Sequence, residues 1–333
     1  MVTTSAGKKT YVIGSRKSQL ALVQTYIVRD TLQAIYPQFE FKIETMSTTG
    51  DIILNQALSK IGEKALFTKE LETALENKTV DFVVHSLKDL PTVLPEGMLL
   101  GAIMKRENPN DALVLSEKNR GLTLATLPKG AVIGTSSLRR VAQLKRNYPH
   151  LTFIDVRGNL NTRLAKLDIE DSSYDGIVLA VAGLVRIDQG HRISQVLTAS
   201  DSLHAVSQGA LGVECRQNDE EVKELLESLN HDDTRITCLS ERALMRRLEG
   251  GCSVPIGVNT KLDKEANTLW MHGLVSSLDG QNVVEYKDKI SLKDADTREK
   301  REKLAEKLGS DVANDLCEKG ADKILAELSH RSH

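Results

Sequence analysis

The sequence predicts an α/β protein with two α/β domains and a smaller α+β domain at the C-terminal end. Strands of the buried type alternate with amphipathic helices from residue 10 to about 205, a succession typical of mostly parallel sheets covered by helices. A strand, a Gly-Ser/Thr turn and a basic helix start occur twice, in YVIGSRKSQLALVQ and AVIGTSSLRRVAQL. Both a duplicated domain and chance reuse of a common turn explain this repeat. From about residue 218 the pattern changes to helices and short strands.

The first domain is predicted from alternating strands and helices. Its first helix carries apolar residues close to one face and ends before Pro37. The strand that follows alternates in polarity, and the last strand is a short apolar run. The elements are a strand at 10–15, a helix with Leu20, Val23, Ile27, Leu32 and Ile35 on its apolar face, a strand at 39–46, a helix at 66–77 and a strand at 80–86.

The second and third domains follow from the same kind of pattern. The dipeptide Asp-Gly at 279–280 is a hairpin signal between the predicted C-terminal strands. The second-domain elements are a strand at 131–137, a helix at 138–149, a strand at 151–156, a helix at 159–167 and a strand at 174–183, and the third domain ends with helices at about 297–308 and 311–328. We expect domain 1 to comprise 10–110 with about 210–230, domain 2 to comprise 115–205, and domain 3 to comprise 235–333.

Composition indicates an ordinary globular protein. The 333 residues are 40% hydrophobic and 27% charged, with a net charge of −2, so no overall field attracts nucleic acid or a membrane surface. Four cysteines without CxxC spacing are typical of a reducing compartment. We find neither a signal peptide nor an apolar run of the roughly 18 residues that a membrane span needs. A cytoplasmic protein is therefore expected.

Four polar loops follow predicted strands, where open α/β sheets bind their ligands. They are GSRKS (14–18), HSLKDLP (85–91), GTSSLRR (134–140) and VRGNLNTR (156–163), and they supply Arg16, Lys17, Lys88, Arg139, Arg140, Arg157 and Arg163. Any one of these loops alone is most simply a solvated helix start. Four of them on two adjacent domains predict one shared anion-binding cleft.

Arg139 and Arg140 are unfavourably placed for cations, because they fall in the first turn of a predicted helix. A cation there costs roughly 0.3–1 kcal/mol against the helix dipole. A charge-assisted hydrogen bond contributes about 1.5–3 kcal/mol, enough to offset that cost. We therefore expect a ligand that carries several carboxylates or phosphates.

Two further residues are candidates for chemistry. Asp89 follows Lys88 in a cationic loop, where it would remain ionised and steady a positive charge; a local Lys-Asp or helix-capping pair is the alternative. Cys252 follows two glycines in LEGGCSVPIG, which favours an exposed, reactive thiol over the packed role expected for the other cysteines. A loop thiol without a role is its alternative. There is no P-loop, no GxGxxG motif and no histidine spacing typical of a metal site.

These segments resemble the porphobilinogen deaminase (hydroxymethylbilane synthase) family. ERALMRRLEGGCSVPIG (241–257) is similar to the sequence around that family's cofactor cysteine. Six earlier segments also resemble family segments and occur in the family's order: GSRKSQLALVQ, HSLKDLP, GTSSLRR, VRGNLNTRL, AVAGLVR and SQGALGVECR. The resemblance implies two periplasmic-binding-protein-like α/β domains and a third domain with a dipyrromethane on Cys252 through a thioether. It implies a monomer that condenses four porphobilinogen molecules, releases ammonia each time, and frees a linear tetrapyrrole by hydrolysis.

The resemblance also implies roles for individual residues. Asp89 would bind pyrrole N–H groups and stabilise the cation left when the amine departs. The cofactor and growing chain would be held by Lys88, Ser136, Ser137, Arg139, Arg140, Arg157 and Arg163, with Gly158 and Asn159 in the same loop. Arg16, Ser18 and Gln24 would serve the incoming substrate or chain, and Arg186, Gln208 and Gly209 match further site positions.

One departure and two alternative functions remain. Ala65 stands where relatives often have glycine, which weakens the roles of Lys60 and Lys64 in a loop beside the cleft. A non-catalytic two-lobed binding protein for a carboxylated ligand would leave Cys252 inert. An enzyme acting on phosphorylated sugars or nucleotides would use the same arginine loops.

Overall fold

The computed structural model describes residues 8–52, 67–248 and 254–330, which form three sheets with covering helices. The strands are β1 Thr10–Arg16, β2 Glu40–Met46, β3 Phe82–Ser86, β4 Met98–Ile103, β5 Asp111–Leu115, β6 Val132–Gly134, β7 Thr152–Ile154, β8 Gly176–Ala180, β9 Gln195–Val196, β10 Leu211–Arg216, β11 Ile256–Asp263, β12 Thr268–Ser276 and β13 Val283–Ser291. The helices are α1 Gln19–Ile35, α2 Thr49–Ile52, α3 Lys69–Glu76, α4 Leu138–Asn147, α5 Leu160–Asp168, α6 Val181–Arg186, α7 Glu220–Glu227, α8 Asp232–Arg247, α9 Arg298–Glu318 and α10 Ala321–His330.

The first two sheets share one design. The first has the order β2-β1-β3-β10-β4 and the second the order β7-β6-β8-β5-β9. In each, three strands run parallel and the fourth strand in that order pairs antiparallel with both neighbours. Half of the strand pairings are therefore antiparallel, where the sequence predicted a mostly parallel sheet. The antiparallel strands β5 and β10 are the ones that the chain enters after crossing from one sheet to the other.

The third sheet is an antiparallel meander, β11-β12-β13, as the hairpin signal predicted. Helices α8 and α9 cover it, and its core includes Leu244, Met271 and Val312. Together the three units confirm the predicted fold class, two α/β domains with a smaller α+β domain.

Helix α1 buries only part of the predicted face, on which Leu32 is buried as predicted. Its buried residues include Ala21, Val28 and Leu32, whereas Ile27 and Ile35 are exposed. Leu20 packs instead against the apolar cluster of the second sheet unit. The helix thus serves two neighbours, its own sheet along most of its length and the second unit at its first turn.

The predicted break between the last two helices was wrong. Helix α9 continues through Gly309, where a Cβ atom would lie 2.0 Å from the Ser240 carbonyl oxygen, so glycine permits close packing against α8. The helix ends before Gly320, which has a φ of 102°, a left-handed conformation that favours glycine. The predicted strand at 174–183 is also shorter, because residues from Val181 onward form α6.

Two segments, 104–110 and 197–210, carry the chain between the α/β units, and a buried ion pair links both to the third unit. Arg106 donates from Nη1 and Nη2 to the Glu241 carboxylate of α8 at 2.7 and 2.9 Å, and from Nε to the Gln208 carbonyl oxygen at 2.7 Å. Glu241 also accepts from the Ser207 amide at 2.7 Å. The helix that leads to residue 252 is therefore fixed to both crossing segments.

Candidate active site

The polar loops of the two α/β units face each other. Each of the four loops follows a strand, at the carboxyl ends of β1, β3, β6 and β7. The side chains of Gln19 and Asn161 hydrogen-bond from one unit to the other. Lys88 and Asp89 of the first unit lie close enough to Arg140 and Arg163 of the second to affect their electrostatics. The predicted shared cleft is thus built from both units.

Asp111, at the start of β5, is the centre of the buried part of this cleft. Its Oδ2 accepts from Arg139 Nη1 at 2.8 Å and its Oδ1 from Arg140 Nη2 at 2.7 Å. The three residues are 0%, 6% and 5% exposed. Burial alone would raise the pKa of Asp111, but the two guanidinium groups hold it far below its ordinary range.

Arg139 and Arg140 therefore have an internal anion that sequence reasoning missed. They occupy the first turn of α4 as predicted. The remaining polar contacts of Arg139 go to Ser202 Oγ at 3.4 Å and to the Leu203 carbonyl oxygen. Arg140 donates from Nη1 to the Val178 carbonyl oxygen at 2.8 Å. Its Nε is buried and has no hydrogen-bond partner in the part of the chain that the structure describes.

Lys88, Asp89 and Arg163 form the more accessible part. Asp89 is exposed at the end of a 3-10 turn, Leu87–Asp89. Burial lowers the pKa of Lys88, Arg140 adds to the effect, and Asp89 opposes it. Burial likewise lowers the pKa of Arg163 to about 10, again with Arg140 adding and Asp89 opposing. Two partly desolvated cations thus flank one solvent-facing carboxylate.

Gln208 connects the two parts. Its Oε1 accepts from Lys88 Nζ at 3.4 Å, and its Nε2 donates to Asp111 Oδ1 at 2.8 Å and to the Pro109 carbonyl oxygen at 2.7 Å. Gly209, the next residue, has a φ of 91°. Its carbonyl oxygen accepts from Arg186 Nη2 at 2.6 Å, and burial lowers the pKa of that arginine.

The end of β1 supplies the residues predicted for the incoming substrate. The Arg16 guanidinium lies over the Phe67 ring, 4.2 Å from its centroid. Ser18 caps α1 by accepting from the Ala21 amide at 3.4 Å. The Gln24 amide of α1 is buried, and its Nε2 donates to Ser86 Oγ at 2.9 Å. Sequence reasoning missed Phe67 and Ser86, although Ser86 lies inside the quoted HSLKDLP loop.

The loops after β6 and β7 use their small polar residues to shape the backbone. Ser136 Oγ donates to the Val156 carbonyl oxygen at 2.9 Å. Ser137 caps α4 and Asn159 caps α5. Gly158, with a φ of 112°, presents its carbonyl oxygen to Arg163 Nε at 2.8 Å. The loop therefore aims Arg163 while its own amides begin α5.

Arg157 occupies a half-buried position in the same loop. It pairs with Asp155, from Nη2 to Oδ2 at 2.6 Å. An ion pair of this kind at the surface contributes about 0–1 kcal/mol, so a bound carboxylate can compete with Asp155 for the guanidinium.

Several predicted residues cannot be placed. Cys252, Lys60, Lys64 and Ala65 lie outside the described residues. Of the other cysteines, Cys215 and Cys238 are buried and Cys317 is half-buried. Within residues 8–52, 67–248 and 254–330, no group of His, Cys, Asp and Glu side chains could hold a metal ion. Among the same residues, none of the helices combines the length and the apolar composition of a membrane span.

The arrangement suits a ligand rich in carboxylates that also carries N–H donors. Arginine and lysine side chains from separate loops offer charge-assisted hydrogen bonds. A lone exposed carboxylate among them can accept from N–H groups and stabilise a positive charge that develops nearby.

Comparison with protein families gives two matches in succession. The family model described as "Porphobilinogen deaminase, dipyromethane cofactor binding domain" matches residues 11–224. The model described as "Porphobilinogen deaminase, C-terminal domain" matches residues 235–318.

Curated relatives agree over nearly the whole chain. The chain is 56% identical to the porphobilinogen deaminase of Nostoc sp. over 96% of its own length and 95% of the relative's. It is 56% identical to that of Synechococcus elongatus over 95% and 94%. Among solved structures, it resembles the periplasmic aliphatic sulphonate binding protein SsuA from Escherichia coli at 12% identity, over 74% and 72% of the two chains, with a TM-score of 0.38.

Proposed function

The chain belongs to the porphobilinogen deaminase family, and from this premise we propose how its residues carry out the family's reaction. The reaction condenses four porphobilinogen molecules stepwise onto a covalent dipyrromethane primer and releases ammonia at each addition. Hydrolysis then frees the linear tetrapyrrole for porphyrin and heme synthesis. This makes the enzyme a transferase of the hydroxymethylbilane synthase type, and a purely binding protein is not favoured.

The residues present fit an acid-bearing dipyrromethane. Each pyrrole unit carries two carboxylates, one acetate and one propionate, so the site must neutralise several charges at once. Arg140 keeps a buried Nε without a partner among the described residues. Arg163 and Lys88 form no ion pair with a carboxylate in the described part of the chain, although Asp89 lies near both. We assign Lys88, Arg140, Arg157 and Arg163, with Ser136 and Ser137, to holding the primer and the growing chain.

Arg139 has a supporting role in this proposal. Its guanidinium donates to Asp111, Ser202 and Leu203 inside the second unit. The ion pair with Asp111 shares that carboxylate with Arg140 and keeps the Arg140 side chain in place. Arg139 therefore stabilises the arrangement of Asp111 and Arg140, and Arg140 is the residue that binds the ligand.

Asp89 carries the proposed chemistry. Loss of the amine from porphobilinogen leaves positive charge on the reacting unit. The Asp89 carboxylate is exposed and makes no direct hydrogen bond or ion pair with any residue that the structure describes. It is thus available to accept from pyrrole N–H groups and to stabilise that charge. This one feature, an unpaired carboxylate within a cationic site, is the observation on which the mechanism depends.

Cys252 is proposed as the attachment point of the primer through a thioether. The described chain leaves α8 at Leu248 and resumes at Val254, so residue 252 follows the helix that Glu241 ties to the crossing segments. When bound, the dipyrromethane supplies the pyrrole carbon to which the first substrate is joined. The protein holds it by the anion-binding residues above.

The remaining family positions serve the incoming unit and the shape of the cleft. Arg16, stacked on Phe67, is proposed to bind a substrate carboxylate, and Ser18 and Gln24 to shape the same corner. Gln208 bridges Lys88 and Asp111, while Gly209 and Arg186 brace the crossing segment beside it.

We also propose that one chain in the cytoplasm is the working unit, with domains at 10–110 plus about 210–230, 115–205 and 235–333. A monomer is what the family resemblance implies. No nucleic acid or membrane partner is proposed, since the net charge is −2.

Substitution of Asp89 by Asn tests the proposed mechanism. We expect kcat for porphobilinogen consumption to fall by roughly 100-fold, the loss typical of removing one group that stabilises transition-state charge. The urea midpoint should not change, because the side chain is exposed. Asp171→Asn, at an exposed carboxylate outside the site, is the matched control. A wild-type kcat in the Asp89→Asn variant would refute the assignment.

A further inference from the structure

Helix α8 makes a second connection, to the backbone that carries Asp89. Arg242 donates from Nη1 to the Leu90 carbonyl oxygen at 3.0 Å and from Nη2 to the Pro91 carbonyl oxygen at 2.6 Å. The side chain crosses from the third unit into the first. Its guanidinium therefore hydrogen-bonds to the backbone of the two residues that directly follow Asp89.

Apart from the packing of Leu87 and Leu90 into a buried apolar cluster, the Asp89 turn has few other hydrogen bonds. It is a single 3-10 turn, Leu87–Asp89, closed by the Leu90 amide donating to the Leu87 carbonyl oxygen at 3.3 Å. On its upstream side, the Leu87 amide donates to the Ala210 carbonyl oxygen at 3.0 Å. Since the Asp89 side chain contacts no partner directly, its location depends on how the backbone is held on either side.

Arg242 is an unusual residue for this place. It is 5% exposed, and its hydrogen bonds within the described chain go to neutral carbonyl oxygens. Burial lowers its pKa to about 10, so it stays charged at neutral pH. A buried charge without a bonded carboxylate is a poor way to gain stability, because its desolvation is not repaid by an ion pair. We therefore expect Arg242 to contribute through the position that its two hydrogen bonds impose on Leu90 and Pro91, and not through stability.

A forked donor suits this pair of contacts. The planar guanidinium directs separate N–H groups at two successive carbonyl oxygens, whereas the lysine ammonium is a single point on a flexible stem. Arg242 lies ten positions before residue 252 on the helix that leads to it. The two contacts thus relate the Asp89 turn to the helix that precedes the proposed primer attachment.

We propose that Arg242 is a positioning residue that sets the location of the Asp89 carboxylate relative to the primer-bearing segment. It does not touch the reacting atoms and acts through Leu90 and Pro91. This inference rests on the proposed role of Asp89. It predicts a loss of turnover without a loss of substrate affinity or of primer attachment.

A double-mutant cycle with Asp89 tests the proposal. In the wild-type background, Arg242→Gln is expected to lower kcat at least tenfold, to change KM by less than twofold, and to leave the primer mass on the protein. In the Asp89→Asn background the same substitution should change kcat by less than twofold, because the group that it positions is already gone. Arg247→Gln, on the same helix and bonded to Asn314 of α9, is the matched control.

Several outcomes would overturn the proposal. An equal loss of kcat in both backgrounds would show that Arg242 acts independently of Asp89. Arg242→Lys is the second variant, for use if Arg242→Gln fails to fold, because it keeps the charge and the apolar stem. Wild-type turnover in Arg242→Lys would also contradict the proposal. If Asp89→Asn alone retained full activity, both this inference and the proposed mechanism would fail. If Asp89→Asn lowered kcat as expected but the effects of the two substitutions on kcat were additive, only the proposed role of Arg242 would fail.

Discussion

At the scale of single residues, the site depends on how three charges are shared. Asp111 accepts from Arg139 and Arg140 in the interior of the second unit. Two cations in the first turn of α4 would otherwise oppose the helix dipole and each other. The Asp111 carboxylate offsets one of the two positive charges. The remaining positive charge acts on Lys88, Asp89 and the cleft.

Asp111→Asn is expected to destabilise the fold by about 3–5 kcal/mol, because it leaves two buried guanidinium groups without their counter-ion. The free energy of unfolding from urea titration at neutral pH measures the effect. Asp168→Asn is the control: it also removes a carboxylate paired with an arginine, Arg192, but one that is 45% exposed. That exposed pair should contribute about 0–1 kcal/mol. Equal losses in the two variants would contradict the account.

Sequence reasoning located the cations of this site better than their partner. Arg139, Arg140 and Asp89 were found because each follows a predicted strand, which is a local signal. Asp111 lies 28 positions before Arg139, directly after the crossing segment 104–110. Its pairing depends on which sheet β5 joins, and no spacing pattern carries that information.

At the scale of elements, the strand-end loops were the most predictable feature. The residues Ser18, Ser137 and Asn159 begin α1, α4 and α5 by accepting from backbone amides. The position of these residues directly after a strand is a local signal, so the sequence locates the loops, although it predicted ligand-binding roles for the three residues and not caps. The break expected within α9 was wrong because Gly309 is used for close packing against Ser240, a contact between distant residues.

Gly209→Ala is expected to destabilise the protein more than Gly130→Ala. Both glycines have a positive φ, 91° and 85°, so each substitution costs about 1–2 kcal/mol from backbone conformation alone. At Gly209 a Cβ atom would also lie 2.4 Å from the Glu107 carbonyl oxygen, whereas at Gly130 nothing lies within 4 Å. The crossing segments would have to separate in the first variant only.

The comparison uses urea midpoints and kcat for both glycine variants. Gly209→Ala should also lower kcat, because Gln208 and its bridge to Lys88 are adjacent. Equal midpoints in the two variants would show that the crossing segments are not tightly packed there.

At the scale of the whole molecule, three units meet around the crossing segments. Arg106, Gln208 and Glu241 join the crossing segments 104–110 and 197–210 to α8. His204 lies in the same region: its backbone bridges to Val258 of β11, and its Nδ1 lies 3.0 Å from the Ala205 carbonyl oxygen. The sequence predicted three units, but this junction consists of contacts between residues far apart in the chain.

The junction should make stability dependent on pH. Burial lowers the pKa of His204 to about 4, against the opposing charge of Glu241. In the unfolded chain the pKa returns to about 6.5. Between these values the unfolded state binds more protons, so the free energy of unfolding falls as pH drops from 6.5 to 4, by up to about 1.4 kcal/mol per pH unit. His204→Gln should remove this contribution.

Urea midpoints at pH 7.5 and pH 5.0 test the pH dependence. The midpoint should drop less between the two conditions in His204→Gln than in the wild type. The exposed His191 provides the control, and His191→Gln should keep the wild-type dependence. An unchanged dependence in His204→Gln would contradict the assignment of the proton uptake to this junction.

The cationic cleft is proposed to serve an acid-bearing pyrrole chain tethered at Cys252. Intact mass measured with and without porphobilinogen tests this proposal most directly. The wild-type protein should exceed the 36.7 kDa of the chain by one dipyrromethane and gain single pyrrole units when substrate is added. Cys252→Ser should have the mass of the chain alone and no activity. A fully active wild-type protein at the unmodified mass would contradict the account.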